Sequence, residues 1–111
     1  VNIASVLGMV ATKNAAGYVA AKHGVVGLTK TAALEYSNQN IRINAVGPGY
    51  INTPLLQALD DTSFSALTAL HPIGRLGEAN EVAELVLWLS IPRASFVTGA
   101  YIPVDGGYLA Q

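Results

Sequence analysis

The stretch Ile41-Arg42-Ile43-Asn44-Ala45-Val46, followed by Gly47-Pro48-Gly49, decides how this chain folds. Its β-branched residues predict a strand over 41–46 that the glycine and proline residues end. The segment before it, from about Tyr18 to Ser37, has apolar residues around much of its circumference, and we expect a helix buried on more than one side. A long helix followed by a strand favours a parallel sheet.

The same alternation continues towards both ends of the chain. The other predicted elements are a strand over 1–5, a loop over 6–17, mixed helical segments over 50–77, a helix over about 78–89 and a strand over 101–104. Pro103 lacks an N–H group, so the last strand is expected at a sheet edge or to end there. The order predicts an α/β fold with helices packed on a parallel sheet. Since the chain opens in what resembles the end of a strand, we expect residues before Val1.

Composition excludes several classes of protein. The 111 residues are 51% apolar and 12% charged, which is typical of a domain with a buried core, and the net charge of −1 offers no basic surface for nucleic acid. The chain has no cysteine, and His23 and His71 are far apart in sequence, so no metal site is predicted. No apolar run is long enough for a membrane span. A cytoplasmic protein fits this composition.

Tyr18-Val19-Ala20-Ala21-Lys22 carries the first chemical signal. At the start of a helix, the i and i+4 positions place the phenol of Tyr18 and the ammonium of Lys22 on one face. A cation near a phenol favours the phenolate, which can then act as an acid and base. Taken alone, the pair favours a helix-surface contact over a catalytic pair.

Other motifs stand in register with this pair. Ser5 lies thirteen residues before Tyr18 at a predicted strand end, which is where open α/β sheets place ligand chemistry. The further motifs are Asn2-Ile3-Ala4-Ser5, Pro48-Gly49 with Ile51-Asn52-Thr53-Pro54, Arg75-x-Gly77, Glu81-Val82-Ala83 and Val104-Asp105-Gly106-Gly107. In this order, over essentially the whole chain, they resemble the classical short-chain dehydrogenases/reductases.

This resemblance implies a single Rossmann-fold domain, of which residues 1–111 form the carboxyl-terminal catalytic segment of a doubly wound parallel sheet. The family's glycine-rich pyrophosphate loop has no counterpart here, so the nucleotide-binding half is expected to be absent. The implied activity is an NAD- or NADP-dependent oxidoreduction of a secondary alcohol and a ketone. Tyr18 is the implied acid/base, Ser5 holds the substrate oxygen, and Lys22 favours the phenolate and binds the nicotinamide ribose.

The resemblance also implies contacts with the nicotinamide end of the cofactor. Pro48 and Gly49 are expected to line its pocket, and the backbone of Ile51 to bind the carboxamide. Thr53 is expected to bond the carboxamide or a phosphate, although Thr53-Pro54 also fits a helix N-cap followed by proline. The complete enzyme is expected to be a homodimer or homotetramer that acts on a small alcohol or carbonyl compound, without nucleic acid or membrane.

Several alternatives remain open at this stage. A non-catalytic half-fold that serves in assembly also fits the missing loop. Among enzymes, a reductase of acyl-carrier ketones and a sugar-alcohol dehydrogenase both fit, and an enoyl reductase fits less well, since that branch separates its tyrosine and lysine more widely. Leucines in the lid-like region 54–71 favour a neutral or apolar substrate. His71 is predicted as a loop residue, Phe64 and Trp88 as packing residues, and Asp105-Gly106-Gly107 as a structural turn.

Overall fold

Three parallel strands form the centre of the structure. In the computed structural model, which describes residues 1–111, they are β1 (Asn2–Ile3), β2 (Ala45–Pro48) and β3 (Tyr101–Val104), side by side in that order. Asn2 lies opposite Ala45 on one side of β2, and Ala45 lies opposite Tyr101 on the other. The predicted α/β class with a parallel sheet is confirmed.

Helices fill the connections between the strands. They are α1 (Ala16–Tyr36), α2 (Pro54–Gln57), α3 (Asp61–Ala69) and α4 (Ala79–Ser90). The helices predicted over 18–37 and 78–89 agree with α1 and α4 to within two residues at each end. The mixed region resolves into α2 and α3, and the acidic interruption is the N-cap of α3, where the Asp60 side chain accepts from the Ser63 N–H.

The two long helices cover opposite faces of the sheet. Neighbouring residues of a strand point to opposite faces. Ala45 packs with Val26 of α1, and Val46 packs with Leu89 of α4. This arrangement is the doubly wound layering that the sequence predicts, with one small apolar cluster on each face.

The central strand is shifted from its predicted position. It spans Ala45–Pro48 and not 41–46. The carbonyls of Ile43 and Asn44 still accept from the N–H groups of Gly99 and Asn2, but the Ile43 N–H has a side-chain acceptor. The Ile43 N–H donates to the Thr98 hydroxyl, and the buried Asn44 side chain bonds Val97 and Ala100. Pro48 fits in the strand because alternate residues of β2, such as Ala45, and then Gly49 donate their N–H groups to the β3 side. The Pro48 nitrogen faces the other side, where β1 has already ended.

The first strand is also shorter than predicted, at two residues of the expected five. Ala4 still donates its N–H to the Val46 carbonyl, and Ser5 then caps a 3-10 turn over Val6–Gly8. The loop predicted over 6–17 therefore begins with this turn and ends at the start of α1. Pro103 lies in β3, which is an edge strand of this sheet, as its missing N–H indicated.

The prediction that α1 is buried on more than one side is wrong for these residues. Its buried side chains, Val26, Thr29 and Ala33, form one stripe against the sheet. Leu28 and Leu34 on the remaining surface are 62% and 87% exposed. The apolar circumference that the sequence shows is therefore only partly covered within the chain. None of the helices combines the length and the apolar character needed to cross a membrane.

Candidate active site

Ser5 is held where the chain leaves β1. Its backbone is extended, and its Oγ accepts a hydrogen bond from the Leu7 N–H at 3.1 Å as the 3-10 turn begins. The side chain is buried. Because Oγ already accepts from the backbone, its own hydrogen remains available for an oxygen in front of it.

Tyr18 and Lys22 lie one turn apart on α1, as their spacing predicted. The Lys22 Nζ lies 5.5 Å from the centre of the Tyr18 ring and donates to the Ile3 carbonyl at 2.9 Å. That bond ties the ammonium to the end of β1, next to the serine. Tyr18 is 50% exposed, so its phenol is open to solvent or ligand.

One cavity brings several of the predicted residues together. It measures about 140 Å³ and is lined by Ser5, Tyr18 and Gly49, with Leu7 and Tyr50 as further walls. Four predicted cofactor residues lie outside this lining: Lys22 on α1, Pro48 at the end of β2, and Ile51 and Thr53 on the loop that follows β2. No charged side chain faces the cavity, and its polar groups are hydroxyls and backbone.

The backbone of Ile51 is free to bind a ligand. Gly77 donates its N–H to the Tyr50 carbonyl and accepts from the Asn52 N–H, so the two flanking residues carry both bonds of a parallel bridge. The N–H and C=O of Ile51 make no hydrogen bond and face away from Gly77. A carboxamide needs one acceptor and one donor side by side, and an extended residue offers both.

Thr53 precedes α2 and has Pro54 after it at the first helical position. The predicted N-cap position is confirmed, but the Thr53 side chain makes no capping bond. Its hydroxyl is therefore available to another group, which is compatible with the predicted cofactor contact. Together, the Pro48–Gly49 turn, the Ile51 backbone and the Thr53 hydroxyl fit the nicotinamide end of a dinucleotide.

His71 shapes this loop in a way that the sequence did not indicate. It lies in the loop after α3, as predicted, but it is buried and uses both ring nitrogens. The Tyr50 N–H donates to Nε2 at 3.1 Å, and Nδ1 lies 2.9 Å from the Leu67 carbonyl. These partners require the neutral ring with its proton on Nδ1. A Cβ added at Gly49 would lie 2.8 Å from Nε2, so only glycine allows this close approach.

Tyr50 completes the cavity wall as a neutral phenol. Its ring meets the His71 ring edge-on, with centroids 5.8 Å apart, and also contacts the ring of Tyr108. Burial, and then the neighbouring Tyr108 and Tyr18 phenols, raise the pKa of Tyr50 above its usual value. In the sequence, the only indication of this wall is that an aromatic residue, Tyr50, directly follows Pro48-Gly49.

The remaining sequence predictions concern one turn and two aromatic side chains. Asp105 is a structural turn residue, because its carboxylate accepts from the N–H groups of Gly107 and Leu109. Phe64 is half-buried. Trp88 is exposed on α4, so its predicted packing role is not met within this chain.

The comparisons with known proteins agree with this geometry. Residues 1–109 match the family model described as enoyl-(acyl carrier protein) reductase, and matched relatives include proteins described as short-chain dehydrogenases. The chain belongs to the short-chain dehydrogenase/reductase family.

Two curated relatives act, by name, on alicyclic alcohols. The chain is 53% identical to cyclohexanol dehydrogenase of Acinetobacter sp. strain SE19, over all of the chain and 43% of that protein. It is 48% identical to cis-4-hydroxycyclohexanecarboxylate dehydrogenase of Sinomonas cyclohexanicum, over 99% of the chain and 44% of that protein. The chain thus spans less than half the length of these relatives.

Solved structures share the fold closely. A putative 2-deoxy-D-gluconate 3-dehydrogenase from Agrobacterium tumefaciens, with bound NADP, is 42% identical and superposes with a TM-score of 0.95, over 99% of the chain and 46% of that structure. Other structural neighbours are complexed with NADH. The fold around the site is therefore one that occurs in solved complexes with either dinucleotide.

Proposed function

We propose that this chain is the catalytic part of an NAD(P)-dependent oxidoreductase that interconverts a secondary alcohol and a ketone by hydride transfer. The observation that carries the proposal is the shared cavity of Ser5, Tyr18 and Gly49, with the Lys22 ammonium 5.5 Å from the Tyr18 ring. A catalytic hydroxyl, an acid/base and a site for a flat ring then meet at one edge of the sheet.

The nicotinamide of NAD or NADP, when bound, accepts or gives the hydride. In this proposal Lys22 binds the ribose hydroxyls, and its position between the Tyr18 ring and the Ile3 carbonyl supports that role. The unpaired N–H and C=O of Ile51 bind the carboxamide, and the uncommitted Thr53 hydroxyl adds a donor. In this proposal Pro48 and Gly49 lie beside the nicotinamide ring, and Gly49 already lines the cavity.

When an alcohol is oxidised, its hydroxyl proton goes to Tyr18 and its hydride goes to the nicotinamide. Ser5 donates a hydrogen bond to the substrate oxygen, since its Oγ accepts from the Leu7 N–H and its own hydrogen has no other acceptor. The Tyr18 phenolate takes the proton of that hydroxyl as the hydride leaves the carbon, and a carbonyl forms. The Lys22 ammonium, 5.5 Å from the centre of the Tyr18 ring, puts a positive charge beside this proton transfer. In reduction, Tyr18 returns the proton and Ser5 stabilises the charge that builds on the oxygen.

The substrate is, in our proposal, a neutral alicyclic secondary alcohol or the matching ketone. The cavity walls are Leu7 and two tyrosines, with no cation to recognise a phosphate or carboxylate. Leu55 in α2 and Leu59 just after it are exposed, and they follow the loop 49–53 that carries the proposed nicotinamide contacts. The names of the relatives that carry cyclohexane rings support the same class of compound.

An activity screen of the complete protein tests this function. Cyclohexanol and open-chain secondary alcohols are supplied with NAD or NADP, and formation of the reduced nicotinamide is followed by absorbance. We expect oxidation of the alicyclic alcohol with at least one dinucleotide, and a Ser5→Ala variant that binds the dinucleotide normally but oxidises slowly. The absence of oxidation and reduction with every compound and both dinucleotides contradicts the proposal.

Two properties of the complete protein follow from the same proposal. It is expected to be a homodimer or homotetramer, which the exposed Leu28 and Leu34 of α1 support and light scattering tests. We place it in the cytoplasm, in keeping with the lack of cysteine in residues 1–111, and cell fractionation tests this assignment.

A further inference from the structure

Tyr101 reaches from the far strand of the sheet to the residue that carries the catalytic hydroxyl. It is the first residue of β3, and its phenol passes across β2 and donates to the Ser5 carbonyl at 2.9 Å. The two residues are 96 positions apart in the chain. No other side chain makes a hydrogen bond to the Ser5 carbonyl.

Ser5 needs such a contact because it lies just beyond the sheet. The last backbone bond from β1 to β2 runs from the Ala4 N–H to the Val46 carbonyl. Past that point Ser5 is held by its own carbonyl, which accepts from Gly8 and Tyr101, and by Oγ, which accepts from Leu7. Fixing the carbonyl of a residue fixes its backbone dihedral ψ, and the carbonyl of Ser5 therefore helps to set the direction of its side chain.

The crossing is possible only because residue 47 is glycine. Ala45 and Gly47 point to the same face of β2 as Tyr101 does on β3. A Cβ built on Gly47 would lie 2.0 Å from the Tyr101 hydroxyl oxygen and 2.2 Å from Cζ. The phenol thus occupies the space directly over the buried Gly47 backbone, where a side chain at residue 47 would collide with it.

The Tyr101 hydroxyl keeps its proton under all working conditions. Burial, and then the nearby Asp105 carboxylate, raise the pKa of Tyr101 to about 12. Its ring is half-buried against Val26, Ala4 and Ala45, in the cluster below α1. The group is therefore a permanent donor on a rigid support, unlike the exposed phenol of Tyr18.

We propose that Tyr101 is a positioning residue for Ser5: its phenol spans β2 over Gly47 and holds the Ser5 carbonyl so that Oγ faces the substrate oxygen. This inference rests on the proposed function, because it assigns Tyr101 a role only through the serine. It adds a third strand to the support of the site, since β3 then contributes to the geometry at the end of β1.

The test is a double-mutant cycle in the complete protein. Tyr101→Phe keeps the ring over Gly47 and removes one neutral hydrogen bond, so hydride transfer in a single turnover should slow by roughly fivefold to tenfold. Dinucleotide affinity should not change. In a Ser5→Ala background the same substitution should have almost no further effect, because no serine hydroxyl remains to be positioned. Single turnovers with enzyme in excess allow the slow variants to be measured.

Tyr36→Phe is the matched control, since it also removes a phenol hydroxyl, at the exposed end of α1, and should leave the rate unchanged. An unchanged rate in Tyr101→Phe overturns the inference. So does an equal loss with and without Ser5, because Tyr101 would then act on general stability. A Tyr18→Phe variant with full activity overturns the proposed function itself, and an inactive Tyr18→Phe beside a fully active Tyr101→Phe overturns only the positioning role.

Discussion

At the scale of single residues, His71 does the most for the site without touching its cavity. It accepts from the Tyr50 N–H through Nε2, and its Nδ1 is bonded to the Leu67 carbonyl. The ring also packs against the backbone of Gly49. The His71 ring therefore holds the loop 49–53 after β2 against the loop after α3.

Replacing this ring should loosen the loop. His71→Leu leaves the Tyr50 N–H without its acceptor, and an unpaired polar group in this setting costs about 1–3 kcal/mol of stability. We expect a lower midpoint in urea unfolding of the complete protein and weaker dinucleotide binding. His23→Leu, on the exposed surface of α1, is the control and should change the stability by less than about 0.5 kcal/mol. Equal effects of the two substitutions would contradict this role of His71.

The residues of the site differ in how far the sequence could reveal them. Tyr18 and Lys22 could be placed together because helix geometry fixes the i and i+4 relation. Ser5 could be placed at a strand end, since the motif stands where a parallel sheet presents its chemistry. The contacts of Tyr101 and His71 could not be predicted, because each depends on a pairing of segments that are far apart in the chain and on the space over a glycine.

At the scale of elements, the side chain of Arg42 caps the carboxyl-terminal end of α4. Its guanidinium donates to the carbonyls of Leu89, Ala94 and Ile91, at 2.8, 2.9 and 3.3 Å. The last carbonyls of a helix have no partners within the helix, so a fixed cation satisfies them and also opposes the negative end of the helix dipole. Arg42 thereby joins the segment before β2 to the carboxyl-terminal end of α4.

An Arg42→Met variant should be clearly less stable. It keeps much of the apolar stem but leaves several carbonyls to find water, and hydrogen bonds to a charged group contribute roughly 1.5–3 kcal/mol. Chemical denaturation of the complete protein measures the loss. Arg93→Met is the matched control, because Arg93 is exposed and makes no hydrogen bond. A destabilisation no larger than that of the control would show that the carbonyls need no cation.

The beginning of α4 depends on pH through Glu81. Its carboxylate accepts from the Glu78 N–H and pairs with Arg75, each at 2.8 Å. The Arg75 bonds, and then the backbone bond, lower the pKa of Glu81 from 4.5 to about 2. Since the folded-state pKa is the lower one, the stabilisation is present above pH 4.5 and is lost as the pH falls towards 2.

Glu81→Gln should therefore lower the melting temperature at neutral pH, and the difference from the natural protein should shrink as the pH falls below 4.5. Melting curves at a series of pH values measure both quantities. Glu84→Gln, on the exposed face of the same helix and without a partner, should show no such trend. A difference that grows in acid would contradict the assigned direction.

Element types were easier to predict than their ends. The alternation of helices and strands and the period of α4 follow from local patterns, and they were right. The predicted start of β2 was wrong by four residues. Ile41 and Ile43 have the local preference for a strand, but the Ile43 N–H donates to the Thr98 hydroxyl and the Asn44 side chain donates to the Val97 carbonyl. Local preference cannot report which neighbour a strand meets.

At the scale of the whole molecule, much apolar surface stays uncovered. Only 16 of the 111 residues are buried, and Leu34 and Phe96 are almost fully exposed. The outer edge of β1 has no partner strand within the chain. Surfaces and edges of this kind are normally covered in a stable protein.

We expect the 111-residue chain, produced alone, to melt without a cooperative transition or to aggregate, and to bind neither dinucleotide tightly. The complete protein is expected to melt cooperatively, at a temperature that NAD or NADP raises. Calorimetry of both samples makes the comparison. A soluble, cooperatively folded oligomer of the short chain that ignores dinucleotides would instead favour an assembly role over catalysis.

The resemblance of the sequence to a known family predicted the catalytic residues, but it did not predict which dinucleotide the protein prefers. Ser5, Tyr18 and Gly49 converge because the ends of β1 and β2 and the start of α1 meet at one edge of the sheet. The choice between NAD and NADP depends on contacts with the adenosine half, for which these residues hold no motif. Neighbours with each dinucleotide share this segment of the fold.

Tyr18 is the proposed acid/base, and a single substitution isolates the contribution of its phenol oxygen. Tyr18→Phe in the complete protein removes only the phenol oxygen from an exposed ring. The rate of hydride transfer to bound dinucleotide should fall by at least about a hundredfold, with dinucleotide affinity unchanged. A Tyr18→Phe enzyme that transfers hydride as fast as the natural protein would contradict the account.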